Sequence, residues 1–64
     1  MQVSSSVMRK IWYRKGMLTI QFANGDVYDY AGVSALQWKW FKESDSKGRY
    51  FNDNIKGRYR TIRR

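Results

Sequence analysis

Leu18, Ile20 and Phe22 alternate with Thr19 and Gln21, so the run Met17-Leu18-Thr19-Ile20-Gln21-Phe22 has the two-residue period of a strand with one buried face. Val27-Tyr28-Asp29-Tyr30-Ala31 alternates too, with Tyr28 and Tyr30 on one face and Val27, Asp29 and Ala31 on the other. Between the runs lies Ala23-Asn24-Gly25-Asp26. Its Asn-Gly pair predicts a hairpin with a type I′ turn, which places both central residues at positive φ. Upstream, Val7-Met8-Arg9-Lys10-Ile11-Trp12-Tyr13 is β-branched and aromatic and predicts a first strand. Its alternation is imperfect, because Arg9 interrupts the face shared by Val7, Ile11 and Tyr13 while Met8 and Trp12 take the other. A β-bulge reconciles the two halves. Arg14-Lys15-Gly16 is the turn that follows.

The period changes after Ala31. From Ala35 to Ser44 the apolar residues recur at helical spacing, Leu36 to Trp40 and Trp38 to Phe41, with Ser34 placed to cap the helix. Asp45-Ser46 breaks that run, and Ser46 caps a second helix in which Phe51 and Ile55 are i,i+4 neighbours and Gly57 is a C′ stop. Residues 58–64 read as a basic tail in which Tyr59 and Ile62 are available to dock on the sheet. The expected fold is α+β: a three-stranded antiparallel meander followed by two helices packed on one face (βββαα). A chain of 64 residues makes one domain, 1–64, with a frayed start at 1–5 and a basic tail at 60–64.

Composition sharpens this picture. So short a chain buries only about 60% of its unfolded surface. With no Cys and no His, it lacks disulfides and the commonest transition-metal ligands. Its eleven aromatic residues make a compact core feasible without such staples. Neither a signal peptide nor an apolar run of membrane-spanning length is legible, so a cytoplasmic location is expected, with no membrane partner. No cofactor is implied. The chain is read as a monomer or a homodimer.

Charge points to a partner. The net charge is +8. Residues 1–32 carry four basic and two acidic side chains, whereas residues 33–64 carry nine and three. A basic half on a small domain suits a polyanion or an acidic protein surface, and solubility is the plainer reading. The cations are densest between Ser46 and Tyr59. If Ser46 caps the second helix, the N–H groups of Lys47, Gly48 and Arg49 stand at its positive end, a competent place for phosphate. Ser-x-Gly is equally a tight start that packing requires. Asn54 is read as facing solvent within reach of a base or sugar, while Asn52 has a structural use beside Phe51. Lys56, Arg58 and Arg60 extend the basic path, followed by Arg63 and Arg64.

The aromatic residues leave two alternatives open. Tyr28 and Tyr30 are either a stacking platform or part of the core, and core is preferred. Trp38 and Trp40 are roughly 200° apart around a helix, so one of them is expected to be exposed, for base stacking or for a partner contact. Catalysis has little support. The nucleophile–base arrangements that use Cys or His are missing, and the five carboxylates are scattered. No catalytic or metal-binding residue is assigned.

Tyr28-Asp29-Tyr30, the stretch Ser46 to Asn52, and Ile55 to Tyr59 together resemble the KTSC domain. That small module is named for its occurrence at the C-terminus of some lysyl-tRNA synthetases and also stands alone in bacteria and their phages. The resemblance runs from Ser5 through Tyr59 and implies a βββαα-type fold and a suspected RNA-binding role. Three features depart from the family pattern: Ser34 replaces the usual Pro at the start of the first helix, that helix is unusually aromatic, and Asn54 stands where a His or another basic residue is frequent. The expected function is a small, basic, non-catalytic nucleic-acid-binding module that prefers RNA or a single strand. The alternative is a protein-interaction module that docks on an acidic or nucleic-acid-handling host protein.

Overall fold

The computed structural model describes residue 3 and residues 5–64. Strands β1 (Met8–Arg14), β2 (Met17–Phe22) and β3 (Val27–Ala31) form an antiparallel meander, followed by helices α1 (Ala35–Glu43) and α2 (Lys47–Asn54). A fourth strand, β4 (Arg60–Arg63), then returns to pair antiparallel with β3, so the sheet order is β1-β2-β3-β4. This corrects the three-stranded expectation: the basic tail continues the sheet. Its run Arg60-Thr61-Ile62-Arg63 is exposed along its whole length, so no buried-face alternation announces a strand. Open backbone on the outer edge of β3 supplies the pairing that the side chains do not advertise.

The type I′ geometry expected at Asn24-Gly25 is found instead at the turn between β1 and β2. Lys15 (φ 50°) and Gly16 (φ 82°) both lie at positive φ between β1 and β2, as a type I′ hairpin requires. At the Asn24-Gly25 turn only Gly25 is at positive φ (96°), and its N–H donates to the carbonyl of Phe22. Phe22 N–H donates in turn to Asp26 O, and the Asn24 side chain accepts from Asp26 N–H. The extra loop residues give a turn followed by a bulge instead of a two-residue type I′ turn.

The expected irregularity in β1 is present: the register shifts between Met8, opposite Phe22, and Lys10, opposite Gln21. The bulge turns Met8 inward with Ile11 and Tyr13, and leaves Val7 exposed. Leu18 and Ile20 from β2 and Tyr30 from β3 share this inner face, where Phe41, Phe51 and Ile55 of the helical half cover them. Ser34 caps α1 by accepting from Gln37 N–H, and Ser46 caps α2 by accepting from Arg49 N–H. Gln37 also joins the two helices to the approach of β4: it accepts from the Tyr50 hydroxyl and donates to Asn54 O (3.3 Å) and the Tyr59 hydroxyl (3.0 Å). Of the start expected to fray, Val3 N–H donates to Arg9 O and Ser5 Oγ accepts from Val7 N–H. Residues 1, 2 and 4 lie outside the described residues. Among the described residues, no helix is long and apolar enough to cross a membrane.

Candidate nucleic-acid interface

The residues chosen from sequence separate into several places. At the amino end of α2, Lys47, Gly48 and Arg49 stand over a shallow groove of about 680 Å³ that also borders Ser5, Asp45 and Asp53. Much of this end is committed to folding. Lys47 Nζ donates to Ser44 O (2.7 Å), and the Arg49 N–H is taken by the Ser46 cap. A Cβ added at Gly48 would meet Val7 Cγ2 at 3.8 Å, an ordinary contact, so packing does not require glycine there. Asp45 and Asp53 in the same groove oppose an anion.

Asn54 is half-buried rather than facing solvent: its side-chain amide donates to Tyr50 O (3.3 Å) and its backbone carbonyl accepts from Gln37 Nε2. One turn of helix brings its side chain back to the backbone it caps. Lys56 and Arg58 are exposed in the turn that follows α2. There Arg58 N–H donates to Ile55 O and Gly57 adopts φ 75°.

Tyr28 and Tyr30 lie on the helix-covered side of the sheet. Tyr30 is buried against Phe51 with rings 5.6 Å apart at 76°, and Tyr28 is half-buried with the Arg63 guanidinium 5.9 Å from its ring. Neither belongs to an open stacking face, because each pairs across the sheet with core residues of β2, Tyr28 with Ile20 and Tyr30 with Leu18. On α1, Trp38 stacks on Tyr13 (5.6 Å, 10°), and Trp40 is the exposed tryptophan, at 54%.

The arrangement with the most open chemistry is the other side of the sheet. Cross-strand registry places Arg14, Met17, Ala31 and Arg60 in one row, and Trp12, Thr19, Asp29 and Ile62 in the next. The third row holds Lys10, Gln21 and Val27, and Arg64 continues it, its N–H donating to Val27 O (2.9 Å). Strands about 4.8 Å apart and rows roughly 7 Å apart make this a surface about 14 Å on a side. A cation stands at each corner: Lys10, Arg14, Arg60 and Arg64. Neither helix covers it, since both pack on the opposite face.

The middle row explains how a flat polar face is held. Thr19 Oγ1 donates to Asp29 Oδ1 (2.6 Å), and Arg64 Nε donates to Asp29 Oδ2 (2.9 Å). Trp12 stands beside Thr19 and Ile62 beside Asp29, and both polar residues are almost withdrawn from water. Burial alone pushes the Asp29 carboxyl up. The Thr19 hydroxyl and the Arg64 guanidinium outweigh it and hold the group below its ordinary value. Asp29 therefore stays ionised and orients one corner cation, while Lys10, Arg14 and Arg60 have no ion-pair partner among the described residues. Trp12, at 36% exposure, is the aromatic ring of this face.

From the sequence, Arg60 and Arg63 of β4 and the following Arg64 are placed on the basic path, whereas Lys10, Trp12 and Arg14 are assigned to no site. The signal was in the first strand. Beyond the bulge, Lys10, Trp12 and Arg14 alternate against Ile11 and Tyr13, so a basic–aromatic–basic stripe was readable once the inner face was identified.

The family model of the KTSC domain matches residues 4–59, stopping one residue before β4. The crystal structure of a KTSC domain protein from Yersinia pestis superposes with a TM-score of 0.96 at 36% sequence identity, covering 100% of this chain and 93% of that one. No curated protein matches the chain.

Proposed function

The chain belongs to the KTSC domain family, and we propose that it is a small, non-catalytic nucleic-acid-binding module for RNA or another single strand, acting in the cytoplasm. The observation that carries this reading is the open sheet face, where exposed Trp12 lies among Lys10, Arg14, Arg60 and Arg64. An unstacked base has a ring to lie on, and its phosphates have cations on both flanks. A duplex is the poorer fit, because no helix projects to enter a groove: α1 and α2 both pack against the far side of the sheet. Lys47, Gly48 and Arg49 offer a second, weaker anion contact, and Lys56 and Arg58 carry positive charge around the turn before β4.

Fluorescence anisotropy of a labelled single-stranded RNA, titrated at several salt concentrations, tests the reading. Affinity is expected to fall steeply as salt rises, because bound cations displace counterions from the phosphates. Binding that ignores salt, or no binding at low salt, overturns it. One observation favours a protein-interaction module as a second reading: Leu36 and Trp40, one helical turn apart on α1, are 52% and 54% exposed. Its occupant would be an acidic or nucleic-acid-handling protein, and a partner captured from lysate after nuclease treatment and lost on Trp40→Ala would support it.

A further inference from the structure

Behind the sheet, at the end where β3 and β4 meet the last turn of α2, the helices leave part of the inner face uncovered. The result is a cleft of about 630 Å³, within the range that holds small organic ligands. Phe22, Tyr28, Tyr30 and Phe51 line it, and Asn24, Asp26 and Lys56 are among the polar residues at its border, the Asp26 carboxylate being paired with Arg63 (3.2 Å). Its rings meet edge to face: Phe22 with Tyr28 at 74°, Phe22 with Phe51 at 72°, and Tyr30 with Phe51 at 76°. Tyr30 and Phe51 are buried, whereas Phe22 and Tyr28 are half-buried and keep ring surface open on the cleft.

The Tyr30 hydroxyl is the unexplained group. Tyr30 is only 4% exposed, yet its hydroxyl makes no hydrogen bond among the described residues, whereas the hydroxyls of Tyr13 and Tyr50 are both bonded. Among the described residues no side-chain polar atom is both fully buried and unpartnered, so this hydroxyl retains some access to solvent, and Tyr30 is one of the residues that line the cleft. Burial, with Tyr28 nearby, pushes its pKa up to about 12, so it remains a hydrogen-bond donor at any physiological pH. A largely apolar pocket walled by a tyrosine whose hydroxyl has no protein partner, with a lysine at its border, matches a flat heterocycle carrying acceptors and a phosphate.

The route into the cleft is also cationic. Arg60 and Arg64 belong to the open face, whereas Arg63 lies on the cleft side over Tyr28, so β4 bears arginines on both sides of the sheet edge. We propose that the cleft is a base pocket. One unstacked nucleobase of a strand that crosses the open face turns over the β4 edge and sits among Phe22, Tyr28 and Phe51. The Tyr30 hydroxyl donates to an acceptor of the base, and the attached phosphate lies at Lys56. This inference rests on the proposed function, since it gives the cleft to the same strand.

The test is amide NMR of the full chain titrated with uridine 5′-monophosphate, ribose 5-phosphate and a short single-stranded RNA. The mononucleotide is expected to shift Tyr28, Tyr30, Phe51 and Gly57 while sparing Lys10, Trp12 and Arg14. Ribose 5-phosphate is expected to leave the cleft unmoved. Tyr30→Phe keeps the ring and removes only the free hydroxyl, so it should fold normally and weaken the mononucleotide by roughly three- to tenfold, the worth of one neutral hydrogen bond. Lys56→Glu, in an exposed turn, should weaken the nucleotide but not uridine. Equal shifts from ribose 5-phosphate, or full affinity in Tyr30→Phe, overturn the pocket. RNA that binds with steep salt dependence but shifts only the open face also overturns it, while leaving the proposed function standing. A mononucleotide that fills the cleft when no RNA binds refutes the strand, and with it this assignment.

Discussion

The amino end of α2 and the open sheet face are both basic surfaces, but they are assembled differently. At α2 the cations are consecutive neighbours of a capping serine, and the fold draws on them: Lys47 bonds Ser44 O, the Arg49 amide bonds Ser46, and Asp45 and Asp53 share the groove. On the sheet the cations come from two edge strands separated by most of the chain, and three of the four have no ion-pair partner among the described residues. Density of charge along a sequence thus marks where local structure is being stabilised as readily as where a ligand binds. Apart from Arg64, which bonds Asp29, the charges gathered from distant strands onto one uncovered face, around a ring, have no comparable local use.

Charge reversal separates the two surfaces most directly. Lys10→Glu, Arg14→Glu and Arg60→Glu together are expected to reduce single-strand affinity by about a hundredfold or more near 0.1 M salt, and to lower the salt slope by about 2. Lys47→Glu with Arg49→Glu should change both quantities much less. Anisotropy titrations of the two variants in parallel decide the matter, and equal losses would erase the distinction between the surfaces. Trp12→Ala follows in size. Removing one stacking ring costs about 1–3 kcal/mol, or about five- to 150-fold in affinity. Trp40→Ala on the far helix should leave RNA binding unchanged, so a matching loss there would move the site away from the sheet.

The elements that make the inner face were legible because burial imposes a period. Leu18, Ile20 and Phe22 declared β2, and Ser34 and Ser46 declared both helix starts through the hydrogen bonds they accept. What burial does not touch stayed hidden. β4 buries none of its side chains and is held by backbone pairing to β3 and by Arg63 and Arg64 bonding Asp26 and Asp29, contacts that join residues more than thirty positions apart. The open face shared that obscurity. Trp12 and Lys10 became a surface only when registry set them beside Thr19 and Gln21. The tyrosines of Tyr28-Asp29-Tyr30 were correctly preferred as inner-face residues, yet the free hydroxyl of Tyr30 is a property of packing that no spacing encodes.

Asp29 offers a way to separate stability from binding on the same face. Its folded carboxyl titrates below the ordinary value of about 3.9. Its stabilising contribution is therefore fully present above that value and is lost as pH falls through the lower, folded pKa. Thermal melts should show the parent protein losing stability below about pH 4, with a shallower dependence in Asp29→Asn. At neutral pH the same substitution releases Arg64 and removes the one negative charge of the face. Asp29→Asn is thus expected to be less stable than the parent and to bind a single strand more tightly. A variant that loses affinity in proportion to stability would show that the face depends on Arg64 being held in place.

The smallest effects test whether the α2 end is structural. Ser46→Ala removes the acceptor for Arg49 N–H and should cost about 1 kcal/mol. Gly48 sits inside the first turn of α2 without positive φ, and a Cβ there meets only Val7 Cγ2 at an ordinary 3.8 Å. Gly48→Ala should therefore stabilise the fold by roughly 0.5–1 kcal/mol, the helix-interior difference between the two residues. A phosphate seated on the Lys47 and Gly48 amides would make that methyl group an obstruction, whereas a strand on the sheet would not meet it. A rise in melting temperature with unchanged RNA affinity leaves the amino end of α2 as architecture. The same rise accompanied by weaker binding would return part of the site to it.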